Sequence, residues 1–161
     1  GGIAVIHVGG SSEVEQKELL DRVEDSLNAS RAAIASGIVP GGGIALINCI
    51  PSLMQFIMDE LSNEEEKFGA ICVMIALSSP LEAILRNAGQ PESIVQEIID
   101  SSDTSLGYDA KANKFGDMYD FGIIDPVAVT TSALRNAASV SAQLLLTDVS
   151  VTIKRQETTN Q

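Results

Sequence analysis

The sequence predicts a mostly α-helical protein with small β additions. Apolar residues recur at helical spacing through most of the chain, and glycine and proline residues separate the successive stretches. Residues 3–8 and 149–153 have the apolar pattern of short strands near the two ends. Residues 101–121 are polar, contain glycines and both tyrosines, and predict an irregular hairpin.

The composition excludes several classes of function. The chain has 161 residues, which suits one domain or slightly more, and its 45% hydrophobic residues can form a core. The 22 acidic and 10 basic residues give a formal net charge of −12, which disfavours nucleic acid and anionic membrane surfaces as partners. No uninterrupted apolar run reaches the roughly 18 residues of a membrane span. We therefore predict neither a nucleic-acid nor a membrane partner.

The cysteine and histidine content predicts no metal site. Cys49 and Cys72 lie in apolar helical stretches, and His7 lies in the first strand-like segment. Two buried thiols in a reducing compartment are favoured over a disulfide. One histidine and two scattered cysteines do not make a zinc site, and no flanking motif supports a Cys–His nucleophile pair.

The first half of the chain predicts a long polar helix and then a very apolar one. Ser12 begins a capping box, and the helix that follows extends to about Ser36 with one apolar side. The glycine-rich segment 37–43 ends it. The next helix covers residues 44–61, and Pro51 should kink or split it.

Four further helices are predicted. The helix that follows the cap at residues 62–65 extends to residue 78; it is apolar on all sides after Phe68, so we expect it at the centre of the core. Two short helices begin at Ser79-Pro80 and at Pro91-Glu92, and a last one extends from Asp125-Pro126 to about Leu146.

Three features carry possible chemistry, and each also has a purely structural interpretation. The glycines at 41–43 would let backbone N–H groups approach a phosphate, but no Walker motif follows and a simple connecting loop is favoured. Asp125-Pro126 predicts an Asp cap with Pro at the first helical position, and the carboxylate could still accept from a ligand hydroxyl. Periodicity does not distinguish Asp25 from Asp21 or Glu24, so a solvated helix face is favoured for it.

Five segments carry a family resemblance. They are RVEDSLNASRAA (22–33), GIVPGGG (37–43), GYDA (107–110), GIIDP (122–126) and SALRNAASV (132–140). In this order and at roughly this spacing they are similar to the group I chaperonins (the GroEL/Hsp60 family). The resemblance covers nearly the whole chain, from residue 1 to about 153.

The resemblance implies that the chain is the C-terminal part of a longer subunit. Residues 1–36 would be the return segment of the intermediate (hinge) domain, residues 37–153 the second half of the equatorial ATPase domain, and residues 154–161 a polar tail. The apical domain, which binds unfolded substrate proteins and the co-chaperonin, would lie outside the chain. So would the Gly-Asp-Gly-Thr-Thr phosphate loop and the aspartate that binds Mg²⁺.

The implied function is ATP-dependent protein folding in rings of seven subunits, with ATP and Mg²⁺ as cofactors of the full-length parent. Such a subunit works in the bacterial cytoplasm or in the matrix of a mitochondrion or plastid. Two alternatives stay open at this point. One is a stand-alone helical interaction module without ATPase activity, and the other is a helical domain with no activity of its own.

The resemblance also assigns roles to individual residues. Asp25 matches the catalytic aspartate that helps to activate the attacking water. The residues that match nucleotide contacts are Gly42 near the nucleotide, Asp109 and Ala110 at the adenine edge, Ile123 against the base and Asp125 at the ribose hydroxyls. Asp109 departs from the Asn of the best-known bacterial members, which removes an amide donor at the base.

Overall fold

The computed structural model describes residues 1–152 and confirms the mostly helical fold. In chain order its elements are α1 (Glu13–Ser36), β1 (Ile38–Pro40), α2 (Ile44–Ile47), α3 (Ile50–Asp59), α4 (Glu64–Ala76), α5 (Ser79–Asn87), α6 (Ser93–Ile99), β2 (Leu106–Asp109), β3 (Lys114–Asp117), β4 (Ile124–Pro126) and α7 (Val127–Leu145). β1 pairs with β4 and β2 pairs with β3, both antiparallel. The proposed tail at 154–161 lies outside the described residues, and the division of the chain after residue 36 stays a prediction.

Helix α1 has the predicted bounds because both of its ends are capped. The Ser12 hydroxyl accepts from the Glu15 N–H at 3.2 Å, which satisfies one of the free amides of the first turn. Gly37 ends the helix with φ +81°, a conformation that favours glycine, and donates its N–H to the Ala33 carbonyl at 2.8 Å. No α1 side chain is fully buried, so the helix lies along the surface and packs by one side against β4 and α7.

The two predicted terminal strands are wrong in the part of the chain that the structure describes. Residues 3–8 form no strand, and Ile3 is 95% exposed. Residues 149–152 form none either, and Val151 is 90% exposed; Ile153 lies outside the described range. An alternating segment becomes a strand only where a second strand pairs with its N–H and C=O groups, and residues 1–152 supply no such partner at either place.

The core lies between α2, α5, α6 and the β2–β3 hairpin. Its buried members are Ile44, Ile47, Leu81, Leu85, Ile94, Val95, Ile98, Tyr108 and Met118. The predicted interruption at Pro51 is confirmed, because the apolar segment divides into α2 and α3 with Pro51 in the first turn of α3. The hairpin at residues 106–117 is confirmed too, with the Tyr108 and Phe115 rings edge to face at 5.1 Å.

Helix α4 is not central to the core, contrary to the sequence prediction. None of its residues is buried; Phe68 is 70% exposed and Ile75 is 67% exposed. A helix that is apolar on all sides must be covered by other elements, but its sequence does not show which ones. Within residues 1–152, α3 is the element that packs most extensively against α4. Cys49 and Cys72 are exposed as well, so the predicted burial of both thiols is also wrong.

One stretch within residues 1–152, Glu64–Asn87, is long and apolar enough to cross a membrane by length and composition. The sequence analysis missed it because Ser78, Ser79 and Pro80 interrupt its apolar run between α4 and α5. Its first part, α4, has no buried residue, whereas Leu81 and Leu85 of α5 are buried in the core. The absence of a membrane partner stays a prediction.

The exposed apolar side of α3 and α4 should drive self-association of the chain in a salt-dependent way. At net charge −12 the molecules repel one another, and screening shortens the range of that repulsion from about 10 Å at 0.1 M salt to about 3 Å at 1 M. We expect a monomer in equilibrium with small irregular oligomers, with the average mass rising with salt, as measured by light scattering.

Phe68→Glu should lower this association, because it removes exposed apolar surface from α4. Gln55→Glu on exposed α3 is the matched control, since it adds the same charge and removes no apolar surface. Equal effects of the two variants would show that charge alone, and not the apolar face, governs association.

Candidate functional site

The glycine turn between β1 and α2 presents free backbone donors. Gly42 and Gly43 have φ values of +67° and +85°, the left-handed region that glycine tolerates best. Gly41 donates its N–H to the Ile123 carbonyl at 2.9 Å, whereas the N–H groups of Gly42 and Gly43 donate to no acceptor within residues 1–152. Successive free amides in a turn form a concavity suited to an anion.

Close packing also requires glycine in this turn. A Cβ on Gly42 would lie 3.0 Å from Met118 Cε and 3.9 Å from Ile123 Cγ2, and one on Gly41 would lie 3.1 Å from the Ile123 carbonyl carbon. The turn therefore rests directly on the chain between Met118 and Ile123. This contact brings Gly42 and Ile123, two of the residues predicted for nucleotide contact, to one place.

Asp125 lies in β4 and not at a helix cap, which corrects the sequence interpretation. It is opposite Val39 in the sheet, and the N-cap of α7 is Pro126, whose side chain makes no capping bond. The capping acceptor comes instead from Ser36, whose hydroxyl accepts from the Ala128 N–H at 3.1 Å. The Asp125 side chain is exposed and makes no hydrogen bond with another described residue, so its carboxylate oxygens are available to a ligand.

A cavity of about 250 Å³ lies between α1 and the β1–β4 sheet. Ala29 and Ala33 line it from α1, and Ile38, Ile124 and Asp125 line it from the sheet. The small side chains of α1 leave this space open. Asp125 is its charged residue, so the cavity combines apolar walls with one carboxylate that can accept hydrogen bonds.

Asp109 and Ala110 lie at the end of β2, on the other sheet. Asp109 Oδ1 accepts from the N–H groups of Lys111 at 2.9 Å and Ala112 at 3.0 Å, so the carboxylate closes the hairpin turn. Ala110 is half-buried against the same core on which Ile123 packs. The hairpin and the glycine turn thus share one support, and Asp109 holds the turn that carries Ala110.

Asp25 is not brought to this group of residues. It is exposed on α1 and makes no hydrogen bond or ion pair with another described residue. The cavity is lined by Ser26, next to Asp25 in sequence, and by Ala29, one helical turn further on, but Asp25 itself does not line it. Of the two carboxylates assigned by the resemblance, Asp125 lines the cavity and Asp25 does not.

Two residues that the sequence analysis missed shape the site. Met118 is 1% exposed and fills the space beneath Gly42. Ser36 caps α7 across 92 positions of sequence. No local pattern marks either residue, because the role of each depends on a contact between segments that are distant in sequence.

Gly42→Ala should destabilise the chain by about 1 to 2 kcal/mol, because an L-residue is strained at positive φ and the added Cβ would crowd Met118. Urea unfolding measures this change. Gly69→Ala is the matched control: Gly69 lies within α4 with nothing within 4 Å of its added Cβ, so that variant should gain about 0.5 to 1 kcal/mol. Changes of the same sign at both positions would contradict the assignment of strain to the turn.

Comparison with known proteins supplies the family. A solved structure of a group III chaperonin in the open state matches the chain with a TM-score of 0.79 and 24% sequence identity, over 89% of this chain and 30% of that one. This chain therefore spans less than a third of that relative, and the likeness supports the fold. The assignment to group I stays a prediction. The family model described as the TCP-1/cpn60 chaperonin family matches residues 1–155, and the chain belongs to that family.

Proposed function

We propose that the chain is part of a chaperonin subunit that couples ATP hydrolysis to protein folding in a ring-shaped oligomer. The observation that carries the proposal is the arrangement around β1 and β4. Two free amides at Gly42 and Gly43, the apolar side chain of Ile123 and the free carboxylate of Asp125 lie along one short sheet in a member of the chaperonin family.

These groups fit the parts of a nucleotide. The amides of Gly42 and Gly43 would donate to a phosphate oxygen, as backbone nests do. Asp125 would accept hydrogen bonds from ribose hydroxyls, and Ile123 would contact the base. Asp109 closes its turn with Oδ1 alone, so its other carboxylate oxygen would be able to accept from an adenine amino group.

Mg²⁺ would neutralise phosphate charge during hydrolysis. We assign no Mg²⁺ ligand to this chain; the ligand and the phosphate loop would come from the rest of the subunit. The apical domain, which would bind unfolded proteins and the co-chaperonin, would also belong to the rest of the subunit. Seven such subunits would form the ring. The proposed location is the bacterial cytoplasm or an organellar matrix.

Asp25 would act only when α1 moves. Its carboxylate is exposed and does not line the cavity, so hydrolysis would require the helix to swing toward the phosphates. Such a swing would expose no fully buried α1 side chain, although it would break contacts of α1 with α7 and β4. In the closed position Asp25 would orient the attacking water. This arrangement makes hydrolysis depend on a conformational step.

The alternative is a stand-alone interaction module without ATPase activity. The exposed apolar side of α3 and α4 favours it, because a surface of this kind suits a protein partner. The two proposals differ in their response to nucleotide. A module of this kind needs no nucleotide, and its free glycine amides and Asp125 carboxylate would have no role in binding.

The 161-residue chain alone should hydrolyse no ATP and bind Mg·ATP no more tightly than millimolar. Its charge of −12 repels the triphosphate, and two amides and one carboxylate supply no positive charge to offset that repulsion. Isothermal titration calorimetry measures the affinity. Micromolar binding would contradict the proposal that another part of the subunit completes the phosphate site.

Asp25→Ala in the full-length subunit should slow ATP hydrolysis by roughly 10²- to 10⁴-fold, the effect of losing a group that activates or orients the attacking water. ATP affinity should change little, because Asp25 lies away from the binding groups. Asp21→Ala, one helical turn away and also exposed, is the matched control and should be nearly neutral. Equal losses in both variants would mean that the substitutions damage α1 itself.

A further inference from the structure

The end of α1 caps the beginning of α7. The first amides of an α-helix have no partner within the helix, and α7 offers no capping side chain of its own. The Val127 N–H donates to the Gly37 carbonyl at 3.1 Å, and the Ala128 N–H donates to the Ser36 hydroxyl at 3.1 Å. Both acceptors come from the last residues of α1 and its cap.

The Ser36 hydroxyl bonds to both helices. Its Oγ donates to the Ala32 carbonyl of α1 at 2.7 Å while it accepts from the Ala128 N–H of α7. The bond to Ala32 is partly buried, whereas the bond from Ala128 is exposed to solvent. The hydroxyl therefore connects the last turn of α1 to the first turn of α7 in one geometry.

We propose that Ser36 is a positioning residue, a latch that sets the angle of α1 against α7. α1 also packs by one side against α7 and β4, but none of its side chains is fully buried, so the Ser36 bonds act together with a shallow contact surface. Gly37, which follows directly at φ +81°, donates its N–H to the Ala33 carbonyl and accepts from the Val127 N–H, so the backbone next to Ser36 is also bonded to both helices.

The latch would control the position of Asp25, a consequence that rests on the proposed function. Eleven residues of helix separate Asp25 from Ser36, which is about 16 Å of α-helix at 1.5 Å per residue. A tilt of about 10° at Ser36 would therefore displace Asp25 by about 3 Å, enough to move a catalytic carboxylate into or out of reach of a water molecule.

The test uses three variants of the 161-residue chain at low salt, where association is weakest. Ser36→Ala removes the hydroxyl, and Ser36→Thr restores it on a β-branched side chain. Ser30→Ala is the matched control, because the Ser30 hydroxyl donates only to the Ser26 carbonyl of the same helix at 2.7 Å. The measurements are amide hydrogen exchange at Ala128 and residual dipolar couplings that report the angle between α1 and α7.

We expect Ser36→Ala to speed exchange at Ala128 by about fivefold, the net contribution of one hydrogen bond, and to change the α1–α7 angle or broaden its distribution. Ser36→Thr and Ser30→Ala should match the unsubstituted chain in both measurements. Faster exchange with an unchanged angle would show that Ser36 is a simple cap and would overturn the latch. An unchanged exchange rate at Ala128 would also overturn it.

A second measurement separates the latch from the proposed function. In the full-length subunit Ser36→Ala should change kcat for ATP and leave KM unchanged, and Ser36→Thr should rescue kcat. If the angle changes in the 161-residue chain but kcat does not change in the subunit, the latch stands and the role of Asp25 fails. If the angle does not change, the latch fails whatever the activity of the subunit.

Discussion

The pairing of β1 with β4 is the constraint on which the rest of the candidate site depends. Only three residues of each strand take part, yet they join segments 86 positions apart, with Val39 opposite Asp125. The pairing places the glycine turn against Ile123 and brings the start of α7 to the end of α1. Without it, the free amides, the apolar side chain and the carboxylate would have no fixed relation to one another.

Burial is distributed unevenly, and this has consequences for function. Nine side chains between α2, α5, α6 and the hairpin form the core, whereas α1, α4 and α7 contain no buried residue. The residues proposed to face the nucleotide lie next to this core, where packing restricts their motion. The residue proposed to act in hydrolysis lies on a helix that the core does not hold, which suits a group that must move.

Small side chains and backbone groups, more than charge, define the candidate site. Glycine at positive φ frees two amides, and alanines on α1 leave a cavity beside the sheet. The charges in the region are carboxylates, and in a chain of net charge −12 these favour hydroxyl and amino groups of a ligand over its phosphates. Under the proposed function, the chain would hold the nucleoside part of a nucleotide, and other groups would have to neutralise the phosphate charge.

The sequence by itself determined the class of the fold, most of the helices, the break at Pro51, the hairpin and the family. These follow from local causes: helical periodicity, proline geometry, caps such as Ser12 and Asn63, and ordered motifs. Tertiary structure alone decided that residues 3–8 form no strand, that α4 is exposed, and that Asp125 lies in a sheet while Ser36 caps α7. Each of these depends on whether a distant segment supplies a pairing strand, a covering side chain or a hydrogen-bond acceptor. A local sequence pattern indicates that such a partner is needed but does not identify it.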